Sequence, residues 1–314
     1  MSETYAFGPD RRPRTSSRTR QGLRWALVLS GAALITACTA EAAFAQEVSS
    51  DITDEFRLAA ANWTGRLKPL AQKTFALLAG IEFAVSAVVW GFQREAFDDA
   101  IGQFFIKCAL LSFLFMCLLF FDTWIPAIVN SFVVAGQTAV GTSSLNPTEI
   151  VELGLELNGK MMKQVFGLGL LISPAQQFAV AWSSFALLIA FAVIAAQLVI
   201  LLIESYIAVT AGVFFLGFAA FRGTVSFTDR YLVWAVSVGV RLFLIYLIVG
   251  IGMGVAESWT GYLDTVGALD YFAAFRIVIG SVIFALVAVI IPNRTARYLV
   301  EGASFGLHDA FRSS

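Results

Sequence analysis

The stretch Gly154-Leu155-Glu156-Leu157-Asn158-Gly159-Lys160 has the spacing of a phosphate-binding loop, in which glycines let the backbone cradle phosphates and the lysine reaches them. That chemistry also needs a Ser or Thr hydroxyl after the lysine to hold magnesium, and a buried strand before the loop. Met161 stands in the hydroxyl position, and the segment reads as helix from Asn146 onward. Nucleotide binding is therefore not expected. His308 is the one histidine, next to Asp309 in a polar tail, and no cluster of Cys or His accompanies it. Metal sites and the usual nucleophile triads lack parts. Cys108 and Cys117 share one apolar segment, about 13 Å apart by helical rise and beyond disulfide reach. No catalytic residue, metal or cofactor is assigned, and the chain is not expected to be an enzyme.

What chemistry remains is charge in an apolar place. From Lys163 to Glu204 no side chain is charged, and after Glu204 none is charged until Arg222. An apolar helix of about 20 residues crosses the hydrocarbon core, so two spans fit here, meeting at or near Glu204. Arg241 lies about 15 Å inside a further span by helical rise. Ionisable groups at such positions usually face the bundle interior, a partner or a wet cavity. Glu204 and Arg241 are thus candidate intramembrane charges and candidate partners of each other. The simpler alternative has Glu204 in the headgroup layer and Arg241 snorkelling out.

The elements around these charges fit a membrane protein. Hydrophobic residues make up 58% of the chain and charged ones 14%, and the mean hydropathy is +0.78. Six spans are read at 74–92, 104–121, 176–203, 205–221, 231–256 and 276–291, with Lys107 close enough to one span end to snorkel. Residues 123–140 form a helix extension, a re-entrant piece or an extra crossing. The expected fold is all-α: a polytopic transmembrane helical bundle of about five to seven spans, with an amphipathic helix between span groups. The net charge of −1 argues against an extended surface for duplex DNA.

That amphipathic helix has a clear start. Asn146 can cap it, Pro147 suits its first position, and Glu149 stands at the third. Ile150, Leu153, Leu157 and Met161 then recur at helical spacing and form a candidate interaction stripe for lipid or a partner, or for this protein's own bundle. Small residues mark close helix approach: Ala208 with Gly212, and Gly250 with Gly254, within one subunit or between copies.

The N-terminus reads as an export signal. Arginines from Arg11 to Arg24 precede a short apolar stretch and Ala43-Phe44-Ala45, which places cleavage between Ala45 and Gln46. The rival is a lipobox ending in Cys38. The organisation expected is a signal at 1–45, a periplasmic tail at 46–73, transmembrane helices at 74–136, the amphipathic helix and loop at 137–175, transmembrane helices at 176–292 and a polar tail at 293–314. If residues 123–140 cross, the positive-inside rule puts Lys160, Lys163, Arg222, Arg230, Arg294, Arg297 and Arg312 in the cytoplasm and the acidic loop 257–270 outside.

Several pieces in order resemble the TrbL family of conjugal transfer proteins, which is related to the polytopic inner-membrane component of type IV secretion systems. They are Leu145-Asn146-Pro147-Thr148-Glu149-Ile150 followed by Gly154, then Glu204-Ser205-Tyr206-Ile207, then Leu216-Gly217-Phe218 through Phe221-Arg222-Gly223-Thr224, and finally Ile291-Pro292 with Arg297, Glu301 and Gly302. Ala219-Ala220 departs from a more glycine-rich pair. The resemblance implies a multi-pass, homo-oligomeric subunit in a bacterial inner membrane, with its central segment periplasmic. It further implies a channel or scaffold role for relaxase-bound single-stranded DNA, which touches the subunit at most transiently. ATPases, pilin and bridging inner-membrane proteins would be its partners, besides the lipid bilayer. The alternative class is a small-molecule transporter or ion channel, which would need more polar groups at mid-membrane.

Overall fold

The computed structural model describes the backbone of residues 17–93, 97–141, 146–167, 174–265 and 271–308, and the side chains of 52–92, 101–141, 146–163, 179–265 and 272–308. Seven α-helices follow in order: α1 Ser17–Gln93, α2 Phe97–Leu119, α3 Phe121–Val140, α4 Pro147–Gly167, α5 Pro174–Leu216, α6 Val225–Thr265 and α7 Tyr271–Val300. A 3-10 turn, Gly217–Ala220, lies between α5 and α6. No strand occurs among the described residues. All the helices except α4 are long and apolar enough to cross a membrane, so the protein is an all-α polytopic bundle.

Helix α5 corrects one expectation. It does not break at Glu204 but runs on to Leu216. Ile203-Glu204-Ser205 contains neither Gly nor Pro, and in an apolar surround every peptide group is best satisfied inside the helix. The break comes later. Gly217 opens the 3-10 turn, Phe221 is extended at φ −129° and ψ 132°, and Thr224 donates its hydroxyl to the Phe218 carbonyl at 2.8 Å before α6 begins. Ala219 and Ala220 are buried in this elbow.

Helix α3 extends α2. The interruption is one residue, Phe120 (φ −95°, ψ 15°), which accepts from Trp124 N–H and donates to the Met116 carbonyl in helical fashion. The chain therefore does not turn back there. Gly141 ends α3 in the left-handed region (φ 77°), and its N–H returns to the Gln137 and Thr138 carbonyls.

Residues 52–73, read from sequence within a periplasmic tail, belong to α1 and lie along α5. Thr210 Oγ1 donates to the Ala60 carbonyl at 3.3 Å, and Ala71 is fully buried against Gly217. Helices α3 and α6 run side by side in the same direction. Phe132 fills the notch at Gly239, Tyr246 the one at Gly136, and Val140 the one at Gly250. Returning along α6, α7 sets Phe284 over Gly252.

These contacts define two ends of the bundle. One holds the α2–α3 junction, the α5–α6 elbow and the end of α7, where Ser304 and Phe305 reach Asp229. The other holds α4 and the end of α6, joined by Lys160 Nζ to Asp264 Oδ2 at 2.7 Å. Lys160 thus shares an end with Glu257 and Asp264, which charge counting puts across the membrane from it. The reason is local pairing: Lys160 is neutralised by Glu156 and Asp264, so it does not act as a free cation in the topology count. The hydrogen bond that Lys160 donates to Asp264, with the one to Glu156 adding to it, raises the Lys160 pKa. The pair's contribution is therefore complete below the ordinary lysine range and is lost only as pH rises through the raised value.

The Gly250 notch yields a test. A Cβ there would sit 2.1 Å from Val140 Cγ1, whereas one at Gly254 meets nothing within 4 Å. Gly250→Ala should cost about 1–3 kcal/mol by overpacking against a stiff β-branched side chain. Gly254→Ala should leave the midpoint of thermal unfolding in detergent no lower, since alanine favours the helix. Matching midpoints for the two variants would contradict the packing described.

Candidate functional site

The bundle's most concentrated chemistry lies where α1, α2 and the α5–α6 elbow meet. Glu82 is completely buried, and so is Ser86 one turn later. Helical spacing puts Glu82, Ser86 and Trp90 on one face of α1, and Gln103 and Lys107 on the opposing face of α2. Lys107 Nζ donates to Glu82 Oε1 at 3.1 Å and to Ser86 Oγ at 2.6 Å. Ser86 in turn donates to the Glu82 carbonyl at 2.8 Å, and the Lys107 ammonium stands 5.5 Å from the Trp90 ring centroid. Trp90 is fixed by its indole N–H, which donates to Gln103 Oε1 at 2.7 Å.

The elbow completes the cluster. The Arg222 backbone N–H donates to Glu82 Oε2 at 3.1 Å, and Arg222 Nε lies 3.4 Å from Oε1. One carboxylate therefore serves two cations, and both its oxygens are used. Arg222 Nε is buried without an acceptor, while the rest of that side chain is partly exposed. The arrangement ties the α1–α2 hairpin to the elbow electrostatically. Lys107 does not snorkel: with its side chain 4% exposed, it is neutralised where it stands. Glu82 escaped sequence analysis, although its signal was present. It is one acidic residue in the middle of an apolar span, the same criterion that had singled out Glu204.

Glu204 and Arg241 form a second ion pair, between α5 and α6. Arg241 Nη1 donates to Glu204 Oε2 at 2.8 Å and Nη2 to Oε1 at 2.6 Å, the fork geometry that matches guanidinium to carboxylate. Both side chains are partly buried. Neither group is then left over for a solute.

The other sequence candidates take structural places. Ile150, Leu153, Leu157 and Met161 are buried in the bundle's own core with residues of α5 and α6, so the stripe is not open to lipid or another subunit. Gly154, the first glycine of the loop-like motif, allows close approach, since a Cβ there would lie 2.7 Å from Phe191 Cβ. Asn146 and Glu149 do meet at the start of α4, by side chain at 3.5 Å and by backbone at 3.1 Å. Ala208 accepts a hydrogen bond from the Tyr231 hydroxyl at 2.9 Å on its carbonyl, Gly212 lies under the same ring, and Gly250 receives Val140. Gly254 is exposed. The pair Ala45 and Gln46 lies outside the residues whose side chains are described. His308 is exposed, and no group of metal ligands occurs among the described residues.

Removing one member of a buried ion pair typically costs about 3–5 kcal/mol, because the survivor stays desolvated and alone. Glu82→Gln leaves two cations stranded, whereas Lys107→Met leaves Glu82 still paired with Arg222. Thermal unfolding in detergent should therefore show the larger loss for Glu82→Gln. Equal losses would mean that Arg222 does not share the carboxylate. For the second pair, Glu204→Ala and Arg241→Ala should each lower stability, and the exchange Glu204→Arg with Arg241→Glu should recover part of it. Additive losses in the exchanged protein would rule out a net contribution from the pair.

A family model for TrbL/VirB6 plasmid conjugal transfer proteins matches residues 79–291, a stretch that contains both ion-pair clusters, α4 and the elbow. Probable conjugal transfer protein TrbL of Sinorhizobium fredii (strain NBRC 101917 / NGR234) is 28% identical over 269 residues, covering 83% of this chain and 66% of its own length. Conjugal transfer protein TrbL of Rhizobium radiobacter is 27% identical over 288 residues, covering 90% of this chain and 70% of its own. The chain spans about two thirds of the length of these curated relatives. By the extent of the family match, the chain belongs to the TrbL/VirB6 family of plasmid conjugal transfer proteins.

Proposed function

We propose that this protein is an inner-membrane channel or scaffold subunit of a type IV secretion apparatus for conjugal transfer, helping relaxase-bound single-stranded DNA across the inner membrane. The observation that carries this reading is the family match across 79–291. The geometry supports a structural over an enzymatic role: the buried charges hold helices to one another, and where a hydroxyl meets a lysine, Lys107 is bound to the Glu82 carboxylate while Ser86 donates to the Glu82 carbonyl. Partners on this reading are further copies of the chain, the secretion ATPases, pilin and the bridging inner-membrane proteins, with DNA contact at most transient. The mature subunit would begin at Gln46.

The ends of the bundle support an orientation. Arg230, Arg294 and Arg297 lie toward the elbow end, and Glu149, Glu152, Glu156, Glu257 and Asp264 toward the other, together with Lys163 and Arg276. The positive-inside rule assigns the first to the cytoplasm and α4 to the periplasm.

Two measurements test the reading. Deleting the gene from its plasmid should reduce transfer to the level of a relaxase-null donor, with recovery on complementation, and undiminished transfer would overturn the proposal. In spheroplasts, Ser258→Cys should react with a membrane-impermeant maleimide, and Arg297→Cys only after permeabilisation. The opposite pattern would reverse the orientation.

A further inference from the structure

Between α2, α3 and the first turns of α6 lies a cavity of about 440 Å³, within the range of small-molecule pockets. Its walls include Phe113, Ile128, Thr228 and Ala235, with Phe305 and Leu307 from the segment after α7. The polar groups near it are already used: the Thr228 hydroxyl donates to the Phe215 carbonyl at 2.7 Å, and the Trp124 indole N–H to the Cys117 carbonyl at 2.8 Å. Water would find too few partners there, and an empty volume would forfeit dispersion contacts along the whole lining.

The occupant has to be hydrocarbon, and the setting supplies one. Phe113 is 65% and Ile128 40% exposed, so the cavity opens onto the apolar outer surface of α2 and α3, both long and apolar enough to cross a membrane. The wall on its polar side is a clasp. Asp229 accepts from Ser304 Oγ at 2.7 Å and from the Phe305 N–H at 2.9 Å, and Gly302 (φ 83°) and Gly306 (φ 68°) provide the left-handed turns that fold the segment back.

We propose that this cavity is a lipid site in which one phospholipid acyl chain enters laterally between the continuous α2–α3 helix and α6 and is retained under the Asp229 clasp. It would be a resident lipid, distinct from the freely exchanging shell around the bundle, and it would fill the seam between the hairpin of α1 and α2 and the rest of the molecule.

The test uses the full chain purified from membranes in mild detergent. Native mass spectrometry should show one phospholipid retained per chain, and a phospholipid with a diazirine on its acyl chain should label the peptides around Phe113, Ile128 and Ala235. Ala235→Phe, which fills the cavity, and Ile128→Trp, which blocks its mouth, should each abolish retention. Asp229→Ala should keep the fold but lose the lipid sooner on detergent washing. Gly254→Phe, on the outer surface, should change nothing. Lipid-free protein, retention undiminished by both cavity variants, or crosslinks to the C-terminal peptide of a second copy in place of lipid would overturn the proposal.

Discussion

A carboxylate in a medium without water has to be neutralised where it stands, and Glu82 shows how far that requirement shapes the molecule. Its two oxygens face Lys107 from one neighbouring helix and the backbone and guanidinium of Arg222 from the elbow. Three chain segments far apart in sequence are brought to one point by a single desolvated charge. Apolar packing alone is a poor guide to register in a bilayer, because lipid tails are as apolar as leucine. Here the ion pairs and the glycine notches supply the register: Glu82 for the α1–α2 hairpin, Glu204 with Arg241 for α5 on α6, and Gly250 with Val140 for α3 on α6.

Helix-forming stretches were legible in the sequence because apolar length and capping are local properties. Asn146, Pro147 and Glu149 marked the start of α4 to the residue. Partnership is not local. The stripe from Ile150 to Met161 announces that one face of α4 is buried, but the same periodicity serves lipid, another subunit or the chain's own core. Glu204 was misplaced as a junction because a lone charge in an apolar run resembles a loop, although an ion pair with Arg241 lets the helix carry it. Lys107 was read as snorkelling for want of its acceptor, Glu82, which lies in another span. Each miss concerns a group whose partner stands on a different helix.

The same logic explains why charge counting separated α4 from the end of α6, which an ion pair joins. The positive-inside rule weighs cations that are free to interact with the membrane potential and its lipids. Lys160 is spent on Glu156 and Asp264, whereas Arg294 and Arg297 are exposed at the end of α7. Once the paired cation is set aside, the acidic residues of α4 stand with Glu257 and Asp264 of α6 at one end of the bundle.

The unbroken course of α5 through Glu204 has a mechanical meaning. A helix of 43 residues is about 65 Å long, roughly twice the hydrocarbon thickness of a bilayer. Such a rod is longer than the hydrocarbon layer is thick, and it is stiff along its axis. A tilt of about five degrees around one end carries the other through roughly 6 Å, with no loop in between to absorb it. Helices α5 and α6, of 43 and 41 residues, are therefore less like membrane plugs than like levers, each longer than the layer it has to cross.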